Sequence, residues 1–341
     1  MMQAAVYYGR DDIRVKEWPA PNCGAEDVLV RVCATGICGS DMQIYAGTHP
    51  RAQPPLVPGH EIFGRIEAVG AKSEDDWKKG ARVVVYPLIS CGACEPCLSG
   101  NAHVCEKLGV VGIDRDGGFA EFVKVRPEQL VPVPDTVTDE QAPIIEPLAV
   151  AVHAVHDSGF RFGDTVFVTG GGPIGNLLAQ TLRAAGARQV IVSEVSGFRR
   201  KLAFDMGFPV FNPSEEAAAQ ALNRILGKPS VDCVFEATGH VTAYRDAVSC
   251  CAVRGHISFV GIPKAPPEID VLRIVYKELR TSSSRVYQLR DYAAAIALLA
   301  RGAVDTLPLI TDRIPLKDAP RAYEQMKCAD SSAKIVIIPS T

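Results

Sequence analysis

A short stretch of the chain carries four cysteines at a spacing suited to metal binding: Cys91, Cys94, Cys97 and Cys105. Four thiolates complete the tetrahedral coordination of zinc and leave no position open for a substrate. The predicted role is therefore to stabilise a lobe of about residues 90–113. An iron–sulfur cluster is the alternative, because C-x2-C-x2-C also opens a bacterial ferredoxin motif. Zinc is favoured because the last gap is longer than in that motif, and no proline follows Cys105.

A glycine-rich segment directly follows a run typical of a buried strand, Thr165–Thr169, and opens a helical pattern. It fits G-x-G-x-x-G and contains five residues that we predict to bind a dinucleotide: Gly170, Gly172, Pro173, Ile174 and Gly175. In this motif the glycines permit a tight turn, close approach of the pyrophosphate, and packing of the helix on the strand. An ordinary glycine-rich turn is the alternative, which the flanking strand and helix disfavour.

The next predicted strand ends in an acidic residue, Glu194. An acidic residue about 20 positions beyond the glycine motif commonly binds the ribose of the cofactor. Because a carboxylate repels a 2′-phosphate, Glu194 favours NAD over NADP. Arg199 and Arg200 keep NADP open, since either guanidinium could bind that phosphate. We expect Arg199 to lie near the adenine instead.

The elements that must position these residues change character along the chain. The first 135 residues contain short β-like runs such as Val28–Val32 and Arg82–Val85, which predict an irregular, mostly antiparallel β domain. Strands then alternate with helices, which predicts a parallel sheet covered on both faces. Because ligands bind at the carboxyl ends of such strands, we expect Thr238, Val260 and Gly261 to line the nicotinamide ribose.

Length and composition narrow the class of protein. The chain has 341 residues, which suggests about two domains. With 36 basic and 39 acidic residues, it has no charge pattern for binding nucleic acid or an anionic membrane. We find neither a signal-peptide pattern nor an apolar run of the roughly 18 residues that a membrane helix needs. We therefore expect a cytoplasmic protein, and because its cysteine count of 11 is also odd, we expect no disulfide framework.

Four further residues have metal-binding side chains but lie too far apart for spacing to join them: Cys38, His60, Glu61 and Glu146. Taken singly, such residues are usually buried filler or parts of turns. However, residues 59–73 read G-H-E-x-x-G-x5-G-x-x-S, which resembles the zinc signature of the medium-chain dehydrogenase/reductase superfamily. The segment Cys38-Gly39-Ser40-Asp41, the four cysteines and the glycine motif follow in that family's order and at its spacings.

The resemblance covers essentially the whole chain and implies an α/β protein with two domains. A GroES-like, mostly β catalytic domain would comprise residues 1–153. A Rossmann domain, which is a doubly wound parallel sheet that binds the cofactor, would comprise residues 154–288. Residues 289–341 would return to complete the catalytic domain.

Within this family, residues 145–153 resemble the polyol and sugar-acid branch, which includes sorbitol, L-idonate and L-galactonate dehydrogenases. Ordinary alcohol dehydrogenases have a third zinc-binding cysteine near the start of this helix, where this chain has Glu146. The resemblance implies that Cys38 and His60 bind a catalytic zinc directly. Glu61 and Glu146 would share the remaining role, one as a ligand and the other through bound water. Two zinc ions per chain are therefore expected.

The implied reaction is oxidation of a secondary hydroxyl group by hydride transfer to NAD, with zinc lowering the pKa of that hydroxyl. Ser40 would accept the hydroxyl proton; a local hydrogen bond to the backbone is its alternative. Relatives often continue this proton relay through a histidine at the position where this chain has Gln43, which cannot titrate. The relay would therefore end on solvent or on the cofactor ribose, or His49 would replace that histidine. Arg285 matches a substrate-contacting arginine suited to a carboxylate or hydroxyls, with a domain-interface salt bridge as its alternative.

Two other functions remain open. One is a different substrate, as in an L-threonine 3-dehydrogenase or a general alcohol dehydrogenase, and the other is a non-catalytic zinc- and nucleotide-binding relative. The expected partner is a small-molecule substrate, with neither nucleic acid nor a membrane. The resemblance implies a homo-oligomer, and we favour a tetramer over a dimer.

Overall fold

The computed structural model describes residues 1–73, 76–327 and 331–339. We number its elements in chain order. The strands are β1 (Met2–Gly9), β2 (Asp12–Trp18), β3 (Val28–Gly36), β4 (Glu61–Val69), β5 (Arg82–Val85), β6 (Leu88–Ile89), β7 (Gly109–Val110), β8 (Phe122–Val125), β9 (Leu130–Pro132), β10 (Thr165–Thr169), β11 (Gln189–Ser193), β12 (Val210–Phe211), β13 (Val231–Glu236), β14 (Cys251–Phe259), β15 (Arg280–Ser283), β16 (Ile310–Pro315) and β17 (Lys334–Ile338). The helices are α1 (Gly39–Tyr45), α2 (Glu95–Leu98), α3 (Ile145–His156), α4 (Pro173–Ala184), α5 (Gly197–Asp205), α6 (Ala218–Leu226), α7 (Val241–Cys250), α8 (Val271–Tyr276), α9 (Leu289–Ala300) and α10 (Ala319–Met326).

The chain divides into two compact units. The first unit comprises the described residues of Met1–Glu146, Gln288–Ala300 and Leu309–Thr341. The second comprises Pro147–Tyr287 and Arg301–Pro308. Segments from both ends of the chain therefore build the first unit.

The first unit is mostly β-structure. Its largest sheet has the hydrogen-bonded order β16-β17-β3-β4-β5-β9, and β8 also pairs with β3. Strand β3 runs antiparallel to β4, β8 and β17, which agrees with the antiparallel arrangement predicted for the first 135 residues. The valines of β3 and β5 pack with Ile62 and Ile66 of β4 in a core that excludes water. This core supports the start of β4, where two of the predicted zinc ligands lie.

The second unit contains a parallel sheet with the order β12-β11-β10-β13-β14-β15. Every strand pair in it is parallel. The order of the strands reverses between β10 and β13, and ligands bind at such a switch point in open α/β sheets. The sheet confirms the predicted α/β fold class. The sequence did not predict β15, because Arg280–Ser283 is polar and lies at the edge of the sheet.

Among the residues that the structure describes, we find no helix with the length and apolar character needed to cross a membrane.

Candidate active site and zinc sites

Three of the predicted zinc ligands lie together in the first unit. Cys38 directly precedes α1, while His60 and Glu61 lie where the chain enters β4. One ligand atom from each of these residues lies within 4.8 Å of the others. His60 and Glu61 are buried, and Cys38 is half-buried. A thiolate, an imidazole and a carboxylate are donors that zinc accepts in catalytic sites with one open position, so the set fits a zinc ion.

Asp41 joins the two turns that carry these ligands. Cys38 is the N-cap residue of α1, and Asp41 is the third residue of the helix. The backbone N–H of Cys38 donates to Asp41 Oδ2 at 2.8 Å, and that of Gly59 donates to Asp41 Oδ1 at 3.2 Å. One fully buried carboxylate therefore fixes both turns. Our sequence analysis missed Asp41, although an acidic residue three positions after a helix N-cap is the signal of a capping box.

The surroundings of His60 favour a positive charge on its ring. Burial opposes that charge, but the negative charges of Asp41 and Cys38 outweigh it and raise the pKa of His60 well above its ordinary value. Asp41 Oδ1 lies 3.7 Å from His60 Nδ1, and Ser40 Oγ lies 3.5 Å from His60 Nε2. A carboxylate beside one ring nitrogen is the usual arrangement behind a metal-binding histidine. Asp41 would therefore orient the ring with Nε2 left for the metal.

Glu61 is held by a buried lysine that our sequence analysis also missed. Lys334 Nζ donates to Glu61 Oε1 at 2.6 Å, to Glu61 Oε2 at 2.8 Å and to the carbonyl of Ile37 at 3.0 Å. Burial opposes the charge on Lys334, but Glu61 and Cys38 raise the pKa of Lys334 above its ordinary value. A Cβ at Gly36 would lie 1.9 Å from Glu61 Oε2, so the glycine provides room for the carboxylate. Both oxygens of Glu61 therefore face a cation already present in the protein.

Glu146 lies beside this cluster. It is the second residue of α3 and is buried. Its negative charge contributes to the raised pKa of His60 and of Lys334. It does not belong to the group whose ligand atoms all lie within 4.8 Å of one another, which consists of Cys38, His60 and Glu61. The two carboxylates that we predicted to share one role therefore differ in position, because only Glu61 belongs to that group.

The glycine-rich segment at residues 116–118 packs behind the His60 turn. A Cβ at Gly117 would lie 2.2 Å from the carbonyl oxygen of Gly59, and the N–H of Gly118 donates to the same oxygen at 2.8 Å. Asp116 Oδ1 accepts a hydrogen bond from the N–H of Val57 at 2.9 Å. The backbones approach so closely that a side chain at Gly117 would displace the turn. This contact explains why the sequence has glycine there.

The four cysteines of the predicted structural site also lie together. Their sulfur atoms are all within 4.8 Å of one another. Cys94 Sγ lies 3.4 Å from Cys97 Sγ and 3.7 Å from Cys105 Sγ. A tetrahedral zinc ion with Zn–S bonds of about 2.3 Å places its sulfurs roughly 3.8 Å apart, so the set fits zinc. Gly92 and Gly100, with φ angles of 70° and 82°, allow the loop to turn around that centre.

Backbone N–H groups favour the thiolate form of Cys91 and Cys105, whereas burial and the neighbouring thiol of Cys94 raise the pKa of Cys97 to about 12. The N–H groups of Cys91 and Lys107 both donate to Cys105 Sγ at 3.3 Å. Hydrogen bonds from the backbone N–H groups of Ala93 and Cys94 lower the pKa of Cys91 to about 6. Thiolates are the form in which cysteines bind metal.

The glycine motif forms the turn between β10 and α4. Gly170 has a φ of 92°, and Gly172 is the N-cap residue of α4, with Pro173 as its first residue. A Cβ at Gly175 would lie 1.8 Å from the carbonyl oxygen of Gly170, so only glycine fits there. A Cβ at Gly172 would meet only Arg199 Nη1, at 3.7 Å. The N-terminus of α4 therefore has open space beside it for an anionic group.

Glu194 connects this turn to the loop after β11. Its Oε2 accepts from the N–H of Gly171 and its Oε1 from the N–H of Ser196, both at 2.8 Å. Arg200 donates to the carbonyl oxygen of Glu194 at 3.1 Å, so its guanidinium is engaged with the backbone. The guanidinium of Arg199 is the group nearest to a Cβ at Gly172, at 3.7 Å, and its position near the adenine stays a prediction.

The remaining predicted site residues lie on loops, except Gln43, which lies on α1. His49 Nδ1 accepts from the N–H groups of Arg51 and Ala52, at 3.3 and 3.2 Å, so His49 stabilises its loop. Gln43 is exposed on α1 in the first unit, and Arg285 is exposed after β15 in the second unit. In the second unit, Thr238 follows β13, and Val260 and Gly261 follow β14. The backbone N–H groups of these last two both donate to the carbonyl of Glu236 at 2.8 Å.

Comparison with known proteins identifies the family. Residues 24–135 match the family described as alcohol dehydrogenase GroES-like domain, and residues 173–301 match the one described as zinc-binding dehydrogenase. The 2-dehydro-3-deoxy-L-galactonate 5-dehydrogenase of Pseudoalteromonas atlantica is 36% identical over 326 residues, which cover 95% of each chain. The chain belongs to the zinc-containing medium-chain dehydrogenases. Like other members of that family, this dehydrogenase is an oxidoreductase that uses zinc and a nicotinamide dinucleotide, as predicted.

Two further relatives resemble this medium-chain dehydrogenase over nearly its whole length. An L-threonine 3-dehydrogenase of Bacillus licheniformis is 33% identical, and the match covers 94% of each chain. A putative zinc-binding dehydrogenase from Sinorhizobium meliloti, solved bound to NADP, superposes with a TM-score of 0.94 at 34% identity over 99% of each chain. The galactonate-type relative agrees with the predicted polyol and sugar-acid branch.

Proposed function

We propose that this dehydrogenase oxidises a secondary hydroxyl group of a polyol or sugar acid to a ketone, with hydride transfer to NAD. The observation that carries this proposal is the cluster of Cys38, His60 and Glu61, whose ligand atoms lie within 4.8 Å of one another. The buried carboxylate of Glu146 beside that cluster, where simpler alcohol dehydrogenases use a cysteine, supports the polyol and sugar-acid branch.

Each polar residue of the cluster has a distinct role in this proposal. A zinc ion held by Cys38 and His60 supplies a Lewis acid that lowers the pKa of the substrate hydroxyl. Glu61 or Glu146 completes the ligand set. Ser40, whose Oγ lies 3.5 Å from His60 Nε2, relays the proton that the hydroxyl loses: Oγ would accept it while the serine's own hydroxyl proton passes to solvent or the cofactor ribose. The four-cysteine loop holds a second zinc ion that stabilises its lobe.

The cofactor is bound through the second unit. The N-terminus of α4 would hold the pyrophosphate, because Gly172 leaves open space there and the helix dipole favours an anion. Glu194 binds the adenosine ribose and favours NAD, because its carboxylate is fixed beside the glycine-rich turn and would repel a 2′-phosphate. Arg199 lies near the adenine, and Thr238, Val260 and Gly261 line the nicotinamide ribose. Arg285 binds the carboxylate or hydroxyl groups of the substrate.

The protein assembles as a homo-oligomer, and we favour a tetramer. The support is an exposed apolar surface on α8 of the second unit, together with β15, which forms an edge of the parallel sheet. Unpaired edge strands and apolar patches are common protein interfaces. The exposed apolar side chains are those of Val271, Leu272, Val275 and Tyr276. A cytoplasmic location is supported by the cysteines, since those that the structure describes are all free of disulfides.

A substrate screen tests the proposed function. Purified protein is assayed with aldonates, polyols, L-threonine and ethanol, each with NAD and NADP in parallel, while zinc is counted by elemental analysis. We expect reduction of NAD with a sugar acid or polyol and about two zinc ions per chain. Cys38→Ala and Cys97→Ala should each remove about one zinc ion, and only the first should leave the four-cysteine site filled. Rapid turnover of threonine with inert sugar acids would contradict the substrate class, and zinc content unchanged by Cys38→Ala would contradict the catalytic site.

A further inference from the structure

A fully buried carboxylate lies at the centre of the cofactor edge of the parallel sheet. Glu236 is the last residue of β13 and is 0% exposed. Its Oε1 accepts from the N–H of Thr238 at 2.8 Å and of Gly239 at 3.0 Å, and the hydroxyls of Thr238 and Thr169 also donate to it. Its Oε2 accepts from the N–H of Gly239 at 3.2 Å. All of these partners are neutral hydrogen-bond donors.

Both oxygens of Glu236 accept hydrogen bonds from backbone N–H groups, so the side chain needs an acceptor at both positions. A carboxylate accepts hydrogen bonds at both oxygens, whereas an amide presents an NH2 donor in place of one of them. An amide whose oxygen keeps the Oε1 position would retain the hydrogen bonds from Thr238 but turn an NH2 donor towards the N–H of Gly239, which now donates to Oε2 at 3.2 Å. The two donors would repel each other, so the turn at Gly239 would have to move.

Glu236 also lies where three loops meet. Its backbone carbonyl accepts from the N–H groups of Val260 and Gly261, which begin the loop after β14. A Cβ at Gly261 would lie 2.6 Å from Glu236 Oε2 and 2.3 Å from the nitrogen of Gly239. A Cβ at Gly170, in the glycine-rich turn after β10, would lie 2.7 Å from Thr238 Cγ2. The loops after β10, β13 and β14 are thus in contact around one carboxylate.

We propose that Glu236 is a positioning residue for the nicotinamide half of the cofactor. Its carboxylate holds the turn at Thr238–Gly239 and, through that turn, the loop that begins at Val260. This inference rests on the proposed function, in which these loops line the nicotinamide ribose. The adenosine half depends instead on Gly172 and Glu194, which lie on the loops after β10 and β11. Loss of the carboxylate should therefore weaken binding of the complete dinucleotide more than binding of AMP.

The test compares Glu236→Gln with a matched control, Asp232→Asn. Asp232 is a carboxylate at the other end of β13, where its Oδ2 accepts from the N–H of Thr165 at 2.8 Å. Binding of NADH is followed by fluorescence and binding of 5′-AMP by calorimetry. Glu236→Gln should raise the Kd for NADH about tenfold or more, which corresponds to the loss of one buried hydrogen bond, and change that for AMP by less than about twofold. Asp232→Asn should change neither Kd by more than about twofold.

Hydrogen exchange of the cofactor-free protein provides a readout independent of binding. In Glu236→Gln, the amides of Thr238, Gly239 and Gly261 should exchange faster than in the wild type, while those of Gly171 and Ser196 stay unchanged. If Glu236→Gln does not fold, Glu236→Asp retains the carboxylate on a shorter side chain and should weaken NADH binding in the same direction.

Four outcomes decide between the hypotheses. The positioning role would be overturned if Glu236→Gln bound NADH with a Kd within about twofold of the wild type. It would also be overturned if the variant lost affinity equally for NADH and AMP, because that result indicates general damage to the unit. Unchanged exchange at Thr238 and Gly239 would also overturn it. Failure of the wild type to bind NADH or NADPH would refute the proposed function itself, and is distinguished by measuring the wild type first.

Discussion

Replacing Lys334 with methionine tests the buried ion pair behind the metal cluster. Methionine retains the length and apolar stem of lysine but removes the charge that both oxygens of Glu61 face, at 2.6 and 2.8 Å. The side chains of Lys334 and Glu61 are only 5% and 1% exposed, so solvent screens the pair very little. Removing one partner of a buried pair costs about 3–5 kcal/mol, because the other charge stays buried. We therefore expect Lys334→Met to lower the free energy of unfolding of the zinc-depleted protein by about that amount.

A double-mutant cycle with Glu61→Gln isolates the pair. The assay is urea unfolding followed by fluorescence, with a chelator present to keep zinc out of both sites. Because Glu61→Gln removes the charge that Lys334→Met leaves unpaired, the double variant should recover most of the loss. In zinc-loaded protein the cost of Lys334→Met should be smaller, since a bound cation neutralises the released carboxylate. Glu61 raises the pKa of Lys334 above its ordinary value, so Lys334 is charged at neutral pH, where the cycle is measured.

The result that refutes this reasoning is additivity. If the losses of the two single variants sum to that of the double variant within about 0.5 kcal/mol, the two side chains are not energetically coupled. An equal cost of Lys334→Met with and without zinc would refute the part of the argument that concerns the metal.

Two further predictions concern metal and cofactor binding. The negative charges of Asp41 and Cys38 raise the pKa of His60. In metal-free protein the protonated ring therefore stabilises the fold at pH values below the ordinary pKa of histidine. This contribution disappears as the pH rises through the raised pKa of His60. Zinc displaces this proton, so the Kd for zinc at the Cys38 site should fall about tenfold per pH unit between about pH 6 and 8, as measured by chelator competition. The fall should be shallower in Asp41→Asn. A slope identical to that of the wild type would contradict the role of Asp41. A second substitution, Gly175→Ala, places a Cβ 1.8 Å from the carbonyl oxygen of Gly170. It should strongly weaken NADH binding and leave the zinc content unchanged. NADH binding equal to that of the wild type would refute the close packing of α4 on this turn.

The features that the sequence predicted well are those whose chemistry is local. The four cysteines lie within one loop, and the structure brings their sulfurs within 4.8 Å of one another. The strands at Thr165–Thr169, Gln189–Ser193 and Lys334–Ile338 have continuous apolar runs and are confirmed as β10, β11 and β17. Strand β15 has no such signal, because Arg280–Ser283 derives its conformation from pairing with β14. A strand of this kind cannot be recognised before the sheet itself is known.

The residues that the sequence did not predict are buried charges whose partners are distant. Lys334 begins an otherwise apolar run and is separated by 273 positions from Glu61, its partner. A lysine at the start of a strand is ordinarily expected to face solvent, so its burial could be inferred only from the pairing of β17 with β3. Glu236 similarly ends a strand, and its role depends on loops that only the parallel order of the sheet brings together.

The same pairing of β17 with β3 makes the metal cluster dependent on the end of the chain. Strand β3 ends at Gly36, which lies opposite both Val336 of β17 and Glu61 of β4. Glycine at this position leaves space for the Glu61 carboxylate, and β17 supplies the lysine that neutralises it. Without β17, Glu61 would lie beside Cys38 without the lysine that contacts both of its oxygens. The return of the chain to the first unit therefore sets the charge balance at the zinc ligands as well as completing a sheet, and the competition between Lys334 and the metal for Glu61 follows directly from the order of the strands.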